Sequence, residues 1–365
     1  MYLLMALFFA VLIYFYIENA VNRRCLKSFR AVIHVNGIRG KTSTCRYLDA
    51  ALRTKYKVFT KTTGTDAMII GTDGRETPVR RLGPANIHEQ LRMIRRARRE
   101  GAEILILECM AVNPELQKIA QEQIVRSGIT VITNARYDHV FEMGDTPEDI
   151  ARSLSATIPS HGALYTADKR AAGIFGPICR ERDCVMTLVP PTGTAAESVE
   201  LARAVSKRLG VPDDAFESSL SRVKTDFGAQ KIYPMKNGFG KTFHFLSLFS
   251  ANDPVSTKNN IEAVRGQYGK LYFLYNHRED RPDRALLFAR HFFRFYEGAT
   301  VYISGRGAAL PMRLFKGTGP ARLLRAPGLD FLKDIPEGAL LVGIGNIKGL
   351  GYELVKELEA GGKTP

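Results

Sequence analysis

The chain has 365 residues, of which 45% are hydrophobic and 24% are charged. This balance excludes a largely disordered chain, because enough apolar side chains are present to build a buried core. The 52 Lys and Arg residues outnumber the 37 Asp and Glu residues, and the formal charge of +15 favours anionic partners without choosing among them. The 5 cysteines include no Cys-x-x-Cys pair, which argues against a disulfide framework and a structural zinc site and fits a reducing compartment.

An unbroken apolar run covers residues 1–17. As a helix this run is roughly 26 Å long at 1.5 Å per residue, close to the roughly 30 Å hydrocarbon layer of a bilayer. Basic residues follow at once: Arg23, Arg24, Lys27 and Arg30. Since basic residues stay on the cytoplasmic side, we predict a transmembrane helix over residues 1–22 that anchors a cytoplasmic body to the cell membrane in a single pass. A cleaved signal peptide and a buried core helix are the alternatives. Against a signal peptide, the sequence has neither a basic leader nor a small-residue cleavage site.

Strand-like and helix-like segments alternate after the anchor. The predicted strands cover residues 31–35, 57–60, 104–107, 129–133 and 164–165. Helices are predicted from the end of the first strand region up to Leu52, over residues 89–99 and over residues 199–209. This alternation predicts an α/β domain with a mostly parallel, doubly wound sheet.

A second series of strands begins after a change of pattern near Gly228. Its predicted strands cover residues 243–249, 271–275, 300–304 and 340–345, with helices after Pro254, near residues 283–296 and at the end of the chain. We therefore predict a central domain over residues 28–228 and a smaller Rossmann-like C-terminal domain over residues 236–365.

A short glycine motif follows the first strand of the body: Gly37-Ile38-Arg39-Gly40-Lys41-Thr42-Ser43. A strand, a glycine turn and a helix form the context of a phosphate-binding loop (P-loop), since the glycines turn N–H groups inward and the helix N-terminus adds positive potential. Lys41 would reach the β and γ phosphates of a nucleotide, and Thr42 would offer its hydroxyl to Mg²⁺. Val35 stands where the longer GxxxxGK[ST] pattern needs glycine, so the motif has the shorter GxxGK[ST] form.

Two further glycine motifs are interpreted as structural. Gly240-Lys241-Thr242 also reads GKT, but it lies before a predicted strand rather than before a helix. Residues 343–349 resemble a dinucleotide loop with the wrong spacing and without an acidic residue about 20 residues further on. We interpret them as tight strand-to-helix packing or as part of an inter-domain cleft.

Polar residues end the central strands, at the edge of the sheet where ligands gather in open parallel sheets. Glu108 and Asn134 each end a strand, and Asp138-His139 follows shortly after. We expect all of them near Lys41, with Glu108 holding Mg²⁺ and His139 acting as a second metal ligand or an orienting group. Ordinary surface placement is the alternative for each. Residues 61–65 form another polar turn, which either contacts substrate or phosphate or is an ordinary turn.

Arginines surround the apolar positions of the helix predicted over residues 89–99. They are Arg92, Arg95, Arg96, Arg98 and Arg99. From composition alone, a solvated helix face is favoured over a nucleic-acid patch.

Several segments together resemble one ligase family. They are GIRGKTS, TTGTDA, LGPANIHEQ, LECMAVNPE, NARYDHVFEMG, FSANDPVST, NHREDR and GIGNIKGLG. From the anchor nearly to its C-terminus, the chain is similar to the ATP-dependent ligase subunit of poly-γ-glutamate synthase, the PgsB or CapB type. That family lies within the Mur ligase and folylpolyglutamate synthase superfamily. LECMAVNPE with the phosphate loop is the most specific combination.

The resemblance implies an ADP-forming acid–amino-acid ligase. ATP would phosphorylate a carboxylate, and an amine would then attack the acyl phosphate and form γ-linked poly-glutamate. The implied catalytic residues are Lys41, Glu108 and His139, and the implied ligands of Mg²⁺ are Thr42, Glu108 and His139. The implied nucleotide-binding residues are Gly37, Gly40, Lys41, Thr42, Ser43, Asn252, Asp253, Arg278 and Asp280.

The resemblance also implies partners. Glutamate and poly-γ-glutamate would be substrates, and small membrane subunits of the same synthase would carry or export the polymer. Arg80, Arg81 and the arginines of residues 92–99 would hold or steer this anionic polymer. No nucleic acid is expected, and homo-oligomerisation is left open.

Three departures from the Mur ligase pattern matter. No lysine lies between Arg136 and Asp168, so the carbamylated lysine of Mur ligases has no counterpart in that stretch. Phe249 stands where an Asp precedes the His-Asn-Pro segment, which leaves ribose recognition open. The domain that binds a UDP-linked precursor has no counterpart, which argues against peptidoglycan synthesis.

Two other functions remain open from the sequence. One is a folylpolyglutamate-like ligase for another acid, against which the predicted anchor argues because a soluble substrate needs none. The other is a membrane-tethered P-loop ATPase that ligates nothing.

Overall fold

The computed structural model describes residues 2–64, 67–81, 83–190, 196–223, 231–236, 239–251, 253–296, 298–316, 322–325 and 329–359. The chain divides into two compact units. The first contains Met1–Ala135 and Glu142–Lys224, and the second contains Arg136–Phe141 and Thr225–Pro365. The segment Arg136–Phe141 therefore groups with the C-terminal unit, although the sequence-based boundaries placed it in the central domain. Those boundaries stay predictions.

The first unit begins with helix α1 (Tyr2–Leu26) and is built on one sheet. Within the described residues the sheet has eight strands: β1 (Ala31–Asn36), β2 (Val58–Lys61), β3 (Met68–Ile70), β4 (Glu76–Pro78), β5 (Ile104–Glu108), β6 (Ile129–Ile132), β7 (Ala163–Thr166) and β8 (Val185–Leu188). The spatial order is β4-β3-β2-β5-β1-β6-β7-β8. The strands from β2 to β8 in this order run parallel, whereas β3 and β4 are added antiparallel at one edge.

Helices cover both faces of this sheet. The helices of this part of the chain are α2 (Lys41–Leu52), α3 (Glu89–Arg99), α4 (Pro114–Ile119), α5 (Val140–Met143), α6 (Pro147–Leu154), α7 (Lys169–Glu181), α8 (Ala196–Arg208) and α9 (Asp213–Leu220). Ile104 and Ile106 of β5 belong to the apolar cluster that includes α2, α8 and α9, whereas Leu105 and Leu107 pack in the cluster that includes α3. Successive side chains of a strand point to opposite faces, so β5 is buried on both sides.

The predicted strands of the first unit are confirmed. Each of the five matches β1, β2, β5, β6 or β7 to within one residue at either end, and α3 has the predicted bounds. Strands β3, β4 and β8 were not predicted from the sequence. Strands β3 and β4 have three residues each, too few to show a periodic pattern, and the edge strand β8 has no fully buried residue.

The second unit has its own sheet and a core rich in aromatic residues. Its described strands are β9 (Lys231–Lys236), β10 (Thr242–Ser247), β11 (Leu271–His277), β12 (Thr300–Gly305), β13 (Arg322–Arg325) and β14 (Leu340–Gly345). Their order is β13-β12-β11-β14-β10-β9, and β9 runs antiparallel to β10 while the other neighbours are parallel. Its helices are α10 (Pro254–Arg265), α11 (Pro282–His291), α12 (Ala309–Lys316) and α13 (Leu350–Glu359).

The two other glycine motifs lie beside strands of the second unit, as the sequence predicts. Gly240 lies in the turn between β9 and β10, so its GKT triplet leads into a strand. A Cβ atom on Gly343 would lie 2.6 Å from the ring of Phe249, and one on Gly345 would lie 2.6 Å from the carbonyl oxygen of Asn276. Both glycines therefore permit tight packing where β14 ends.

Candidate functional site

Asn134 holds the glycine turn that connects β1 to α2. Its Oδ1 accepts a hydrogen bond from the backbone N–H of Arg39 at 3.1 Å, and its Nδ2 donates to the carbonyl oxygen of Arg39 at 3.1 Å. Its own carbonyl oxygen accepts from Ile38 N at 3.0 Å. Since Asn134 follows β6, the parallel neighbour of β1, these bonds tie two adjacent strand ends together. The structure therefore places Asn134 in contact with the glycine turn, as its position at the end of a strand predicted.

Two glycines give the turn its conformation. Gly37 has φ +120° and Gly40 has φ +82°, a region that other residues rarely adopt. A Cβ atom on Gly37 would lie 2.1 Å from Thr133 Oγ1, and one on Gly40 would lie 2.7 Å from Ser198 Oγ. At Gly37 and Gly40 the backbone therefore lies so close to its neighbours that a residue with a Cβ atom would not fit.

Helix α2 begins directly at the turn. Its N-cap residue is Gly40, which has no side chain to offer to the first N–H groups of the helix. Lys41 is the first helical residue, and its Nζ donates to the carbonyl oxygen of Gly37 at 2.6 Å, across the turn. Thr42 and the exposed Ser43 complete the first turn of α2. The first N–H groups of a helix, the helix dipole and an ammonium group together form an environment that attracts phosphate.

Glu108 joins the turn to the neighbouring strands. This carboxylate ends β5 and is 2% exposed. Its Oε2 accepts hydrogen bonds from Thr42 Oγ1 at 3.0 Å and from the backbone N–H of Thr63 at 2.7 Å. The end of β5, the start of α2 and the turn after β2 therefore meet at one carboxylate oxygen.

A buried ion pair lies next to this carboxylate. Lys61 Nζ is 2.8 Å from Glu89 Oε1, and Arg81 Nε is 2.6 Å from the other oxygen of Glu89. Burial lowers the pKa of Lys61, and the opposing fields of Glu89 and Glu108 limit that effect. Burial raises the pKa of Glu89, but the bonds to Arg81 and Lys61 outweigh it and keep the pKa below its ordinary value.

From the sequence, Lys61 was expected only as part of a polar turn and Glu89 only as the first residue of a helix. Lys61 ends the buried strand β2 at the carboxyl edge of the sheet, and that position was the available signal. Glu89 opens an amphipathic helix, where an acidic residue is ordinary. Its contact with Lys61 depends on tertiary packing alone.

Asp138 and His139 are found in the second unit. Asp138 is buried, its Oδ1 accepts from Arg281 Nη2 at 2.6 Å, and its Oδ2 lies 3.5 Å from Arg284 Nη2. His139 has φ +53° and holds its Nε2 3.9 Å from Asp138 Oδ2. The structure therefore shows His139 beside an aspartate held by two arginines, and its role at a metal stays a prediction.

A cleft of about 570 Å³ lies at the carboxyl ends of β11, β12 and β14 in the second unit. The lining residues are Asn276, His277, Arg278, Glu279, Asp280, Gly305, Arg306, Lys348, Gly349 and Leu350. The predicted site residues Arg278 and Asp280 thus line one cleft, and Arg278 Nε donates to Asp280 Oδ1 at 2.9 Å. This arginine holds the pKa of Asp280 below its usual range, while burial lowers the pKa of His277.

The last two predicted nucleotide-binding residues lie at the start of α10. Asn252 falls outside the described residues. Asp253 is fully buried, and its Oδ1 caps α10 by accepting from Ser256 N at 2.8 Å. The structure therefore gives Asp253 a helix-capping role, and its contact with nucleotide stays a prediction.

No cluster of three or more His, Cys, Asp or Glu side chains suited to a metal ion occurs in the described part of the chain. Glu108 and the hydroxyl of Thr42 form a smaller group of possible metal ligands. One carboxylate beside one hydroxyl fits Mg²⁺, which is commonly held by one or two protein oxygens together with water and substrate phosphates.

Two family models match the chain. The Mur ligase middle domain matches residues 35–166, and the poly-gamma-glutamate synthase CapB C-terminal domain matches residues 232–361. The chain is 29% identical over 385 residues to PGA synthase CapB of Bacillus subtilis (strain 168), which covers 98% of each chain. It is 30% identical over 372 residues to capsule biosynthesis protein CapB of Bacillus anthracis, which covers 94% of this chain and 80% of the relative.

Solved structures show the same fold. E. coli FolC in complex with ADP matches with a TM-score of 0.66 at 13% identity, over 94% of this chain and 93% of that chain. A bifunctional folylpolyglutamate synthase/dihydrofolate synthase with Mn, AMPPNP and L-glutamate bound matches with a TM-score of 0.65 at 14% identity, over 93% of this chain and 92% of that chain. The predicted Mur ligase-like α/β fold is confirmed at this level.

Proposed function

Because the chain belongs to the CapB family of poly-γ-glutamate synthase ligases, we propose that it links glutamate into γ-linked poly-glutamate and converts ATP to ADP and phosphate. One observation carries the site assignment: Thr42 and Glu108 meet beside a glycine turn that ends in Lys41. The solved folylpolyglutamate synthase with AMPPNP, Mn and L-glutamate bound supports the same chemistry on the same fold. We assign this turn as the phosphate-binding loop.

The phosphates of ATP bind, in this proposal, along the turn and the first residues of α2. Backbone N–H groups of Gly40, Lys41 and Thr42 donate to phosphate oxygens, and the helix dipole adds to the attraction. Lys41 Nζ, which lies on the carbonyl oxygen of Gly37, needs only a side-chain rotation to reach a phosphate. Asn134 keeps the turn in the conformation that presents these donors.

Thr42 and Glu108 are the residues that would hold Mg²⁺. Glu108 supplies a buried anionic oxygen, and the Thr42 hydroxyl already lies 3.0 Å from it. Magnesium bound to ATP neutralises phosphate charge during phosphoryl transfer. The hydrogen bond from Thr63 N keeps the Glu108 carboxylate in place. On the motif resemblance, we also assign His139 to a second metal contact and Asn252, Asp253, Arg278 and Asp280 to nucleotide contact.

The reaction has two steps. A carboxylate oxygen of glutamate, or of the polymer end, attacks the γ-phosphorus of ATP, and the bond to the β–γ bridging oxygen breaks to give an acyl phosphate and ADP. An amine then attacks the acyl carbon, phosphate leaves with the bonding electrons, and the amine loses a proton. Lys41 places positive charge where negative charge develops on the transferred group, which is the contribution that electrostatic catalysis requires.

We also propose that α1 crosses the cell membrane once and that both units are cytoplasmic. Among the described residues, α1 is the one helix long and apolar enough to span a bilayer. The basic residues that follow its apolar run support the orientation. Small membrane subunits of the same synthase would receive the anionic polymer.

Lys41→Ala tests the assignment in the full chain embedded in membranes. We expect loss of the amide product and of glutamate-dependent ADP release. Lys241→Ala is a matched control, because Lys241 belongs to the second GKT triplet, in the turn before β10, and should leave activity unchanged. Polymer synthesis retained by Lys41→Ala would contradict the phosphate-loop assignment. ADP release by the wild type without glutamate and without an amide product would instead favour an ATPase over a ligase.

A further inference from the structure

The last two turns of α1 are built into the first unit. Asn22 and Cys25 are buried, and Asn22 Nδ2 donates to the carbonyl oxygen of Ile124 at 2.8 Å. Cys25 packs in the same apolar cluster as Leu91 and Ile94 of α3. The side chains from residue 2 to residue 17 are exposed. The exposed part of α1 is therefore continuous with a helix end that packs in the first unit, and no linker separates them.

Four arginines of α3 lie beside α1 where it leaves the unit. We call Arg92, Arg95, Arg98 and Arg99 the arginine collar. Arg95 Nη2 lies 3.1 Å from Glu18 Oε1, and Arg98 Nη1 lies 3.6 Å from Cys25 Sγ. The buried Nε of Arg95 has no hydrogen-bond partner among the described residues, and the other three collar residues are exposed.

Two clefts place the collar beside the apolar run of α1. A cleft of about 450 Å³ is lined by Tyr14 and Glu18 of α1 together with Arg92 and Arg95. A second, of about 630 Å³, is lined by Cys25 and all four collar arginines. The collar therefore follows α1 from the end of its apolar run to its buried last turn.

Position along α1 sets the depth of the collar in a bilayer. Tyr14 lies near the end of the apolar run, and Cys25 lies roughly 16 Å further along the helix at 1.5 Å per residue. The headgroup region extends about 5–7 Å beyond each side of the hydrocarbon layer. If the apolar run fills the hydrocarbon layer, the collar begins at headgroup depth. Arg23, Arg24 and Lys27 add charge of the same sign, while Glu18 offsets one collar arginine.

We propose that the arginine collar binds the phosphate groups of anionic lipids and clamps the first unit against the membrane surface. The inference rests on the proposed membrane anchoring and not on the ligase reaction. Guanidinium groups pair with phosphate through two parallel N–H donors, and basic residues near an anionic leaflet are attracted to it. The carboxylates of poly-glutamate are the competing occupant. Lipid is favoured because the exposed apolar part of α1 brings a bilayer to the collar.

A single tryptophan reports on the collar, because the chain contains no Trp. His88→Trp introduces one at an exposed position that lines the first cleft. The full chain is inserted into phosphatidylcholine vesicles with or without phosphatidylglycerol, each carrying a headgroup-attached quencher. We expect severalfold stronger quenching when phosphatidylglycerol is present.

Charge removal decides whether the collar causes this effect. Changing Arg92, Arg98 and Arg99 to Gln in the reporter chain should abolish the dependence on anionic lipid. Changing the exposed Lys169, Arg170 and Arg180 of α7 to Gln is the matched control and should leave the dependence intact. Flotation of each variant with the vesicles checks that α1 is inserted.

Each other outcome overturns the inference. A reporter chain that floats but is quenched equally in both vesicles refutes the collar and leaves the anchor in place. A chain that fails to float refutes anchoring and collar together, whether or not it ligates glutamate. If soluble poly-glutamate changes the reporter emission in phosphatidylcholine vesicles, and the collar variant removes that change while lipid has no effect, the polymer is the occupant.

Discussion

Asn134→Ala tests whether the side chain that holds the glycine turn controls nucleotide binding. The change removes two hydrogen bonds with Arg39, each 3.1 Å long, and leaves the backbone contact with Ile38 in place. At about 1 kcal/mol for each bond, the turn loses about 2 kcal/mol of stabilisation. If this loss falls entirely on the conformation that binds phosphate, the Kd for ATP rises about thirtyfold, since 1.4 kcal/mol is about tenfold.

Asn113→Ala provides the matched control in the same unit. Asn113 caps α4 by accepting from Glu115 N at 2.8 Å and from Leu116 N at 3.2 Å, so its change also removes two side-chain hydrogen bonds. Loss of a cap costs about 1 kcal/mol of stability but leaves the turn untouched. Calorimetric titration with a non-hydrolysable ATP analogue, paired with thermal unfolding of the full chain in detergent, measures both effects. Equal ATP affinity in the two variants would refute the reasoning.

Three further outcomes are expected. Glu108→Gln keeps the size of the side chain but removes its charge, so kcat should fall about 10²–10³-fold in a glutamate-dependent ADP-release assay while the Tm stays near that of the wild type. Gly37→Ala should lower the free energy of unfolding in urea by about 1–3 kcal/mol, more than Gly240→Ala, because a Cβ atom on Gly37 would lie 2.1 Å from Thr133 Oγ1, whereas one on Gly240 would meet no described atom within 4 Å. Burial lowers the pKa of His34 to about 4, so between about pH 6.5 and 4 the unfolded chain binds a proton that the folded chain does not. The free energy of unfolding should fall by about 3 kcal/mol as the pH drops through this window, and His34→Gln, followed by urea unfolding at both pH values, should flatten the dependence.

The central strands of both units could be predicted, because burial on both faces requires an unbroken run of apolar residues, whereas β3, β4, β8, β9 and β13 were not predicted. An unbroken apolar run such as residues 104–107 has few alternatives when turn residues bound it. Strand β3, next to the edge strand β4, and the edge strand β8 show no such run, since their pairing with β2 and β7 supplies the stability that their own sequences lack. Short edge elements are therefore decided by their neighbours.

The site could be predicted only in part. Gly37, Lys41 and Thr42 form a contiguous motif, and Glu108 ends a recognisable strand, so their shared edge follows from the parallel order of strands. The pair between Lys61 and Glu89 joins residues far apart in sequence, and neither position by itself predicts the other as its partner. His139 follows a strand of the first unit along the chain, but its segment groups with the second unit, so its place near Lys41 stays a prediction.

The sequence by itself determined the parallel α/β class, the phosphate-binding motif and the apolar N-terminal helix, because each depends on residues close together along the chain. Tertiary structure decided which side chains support that motif and how α1 joins the first unit. The contacts of Asn134 with Arg39 and of Asn22 with Ile124 each span more than ninety residues. Hydrogen bonds at such separations depend on how strands and helices pack, so the local sequence around either residue does not predict them.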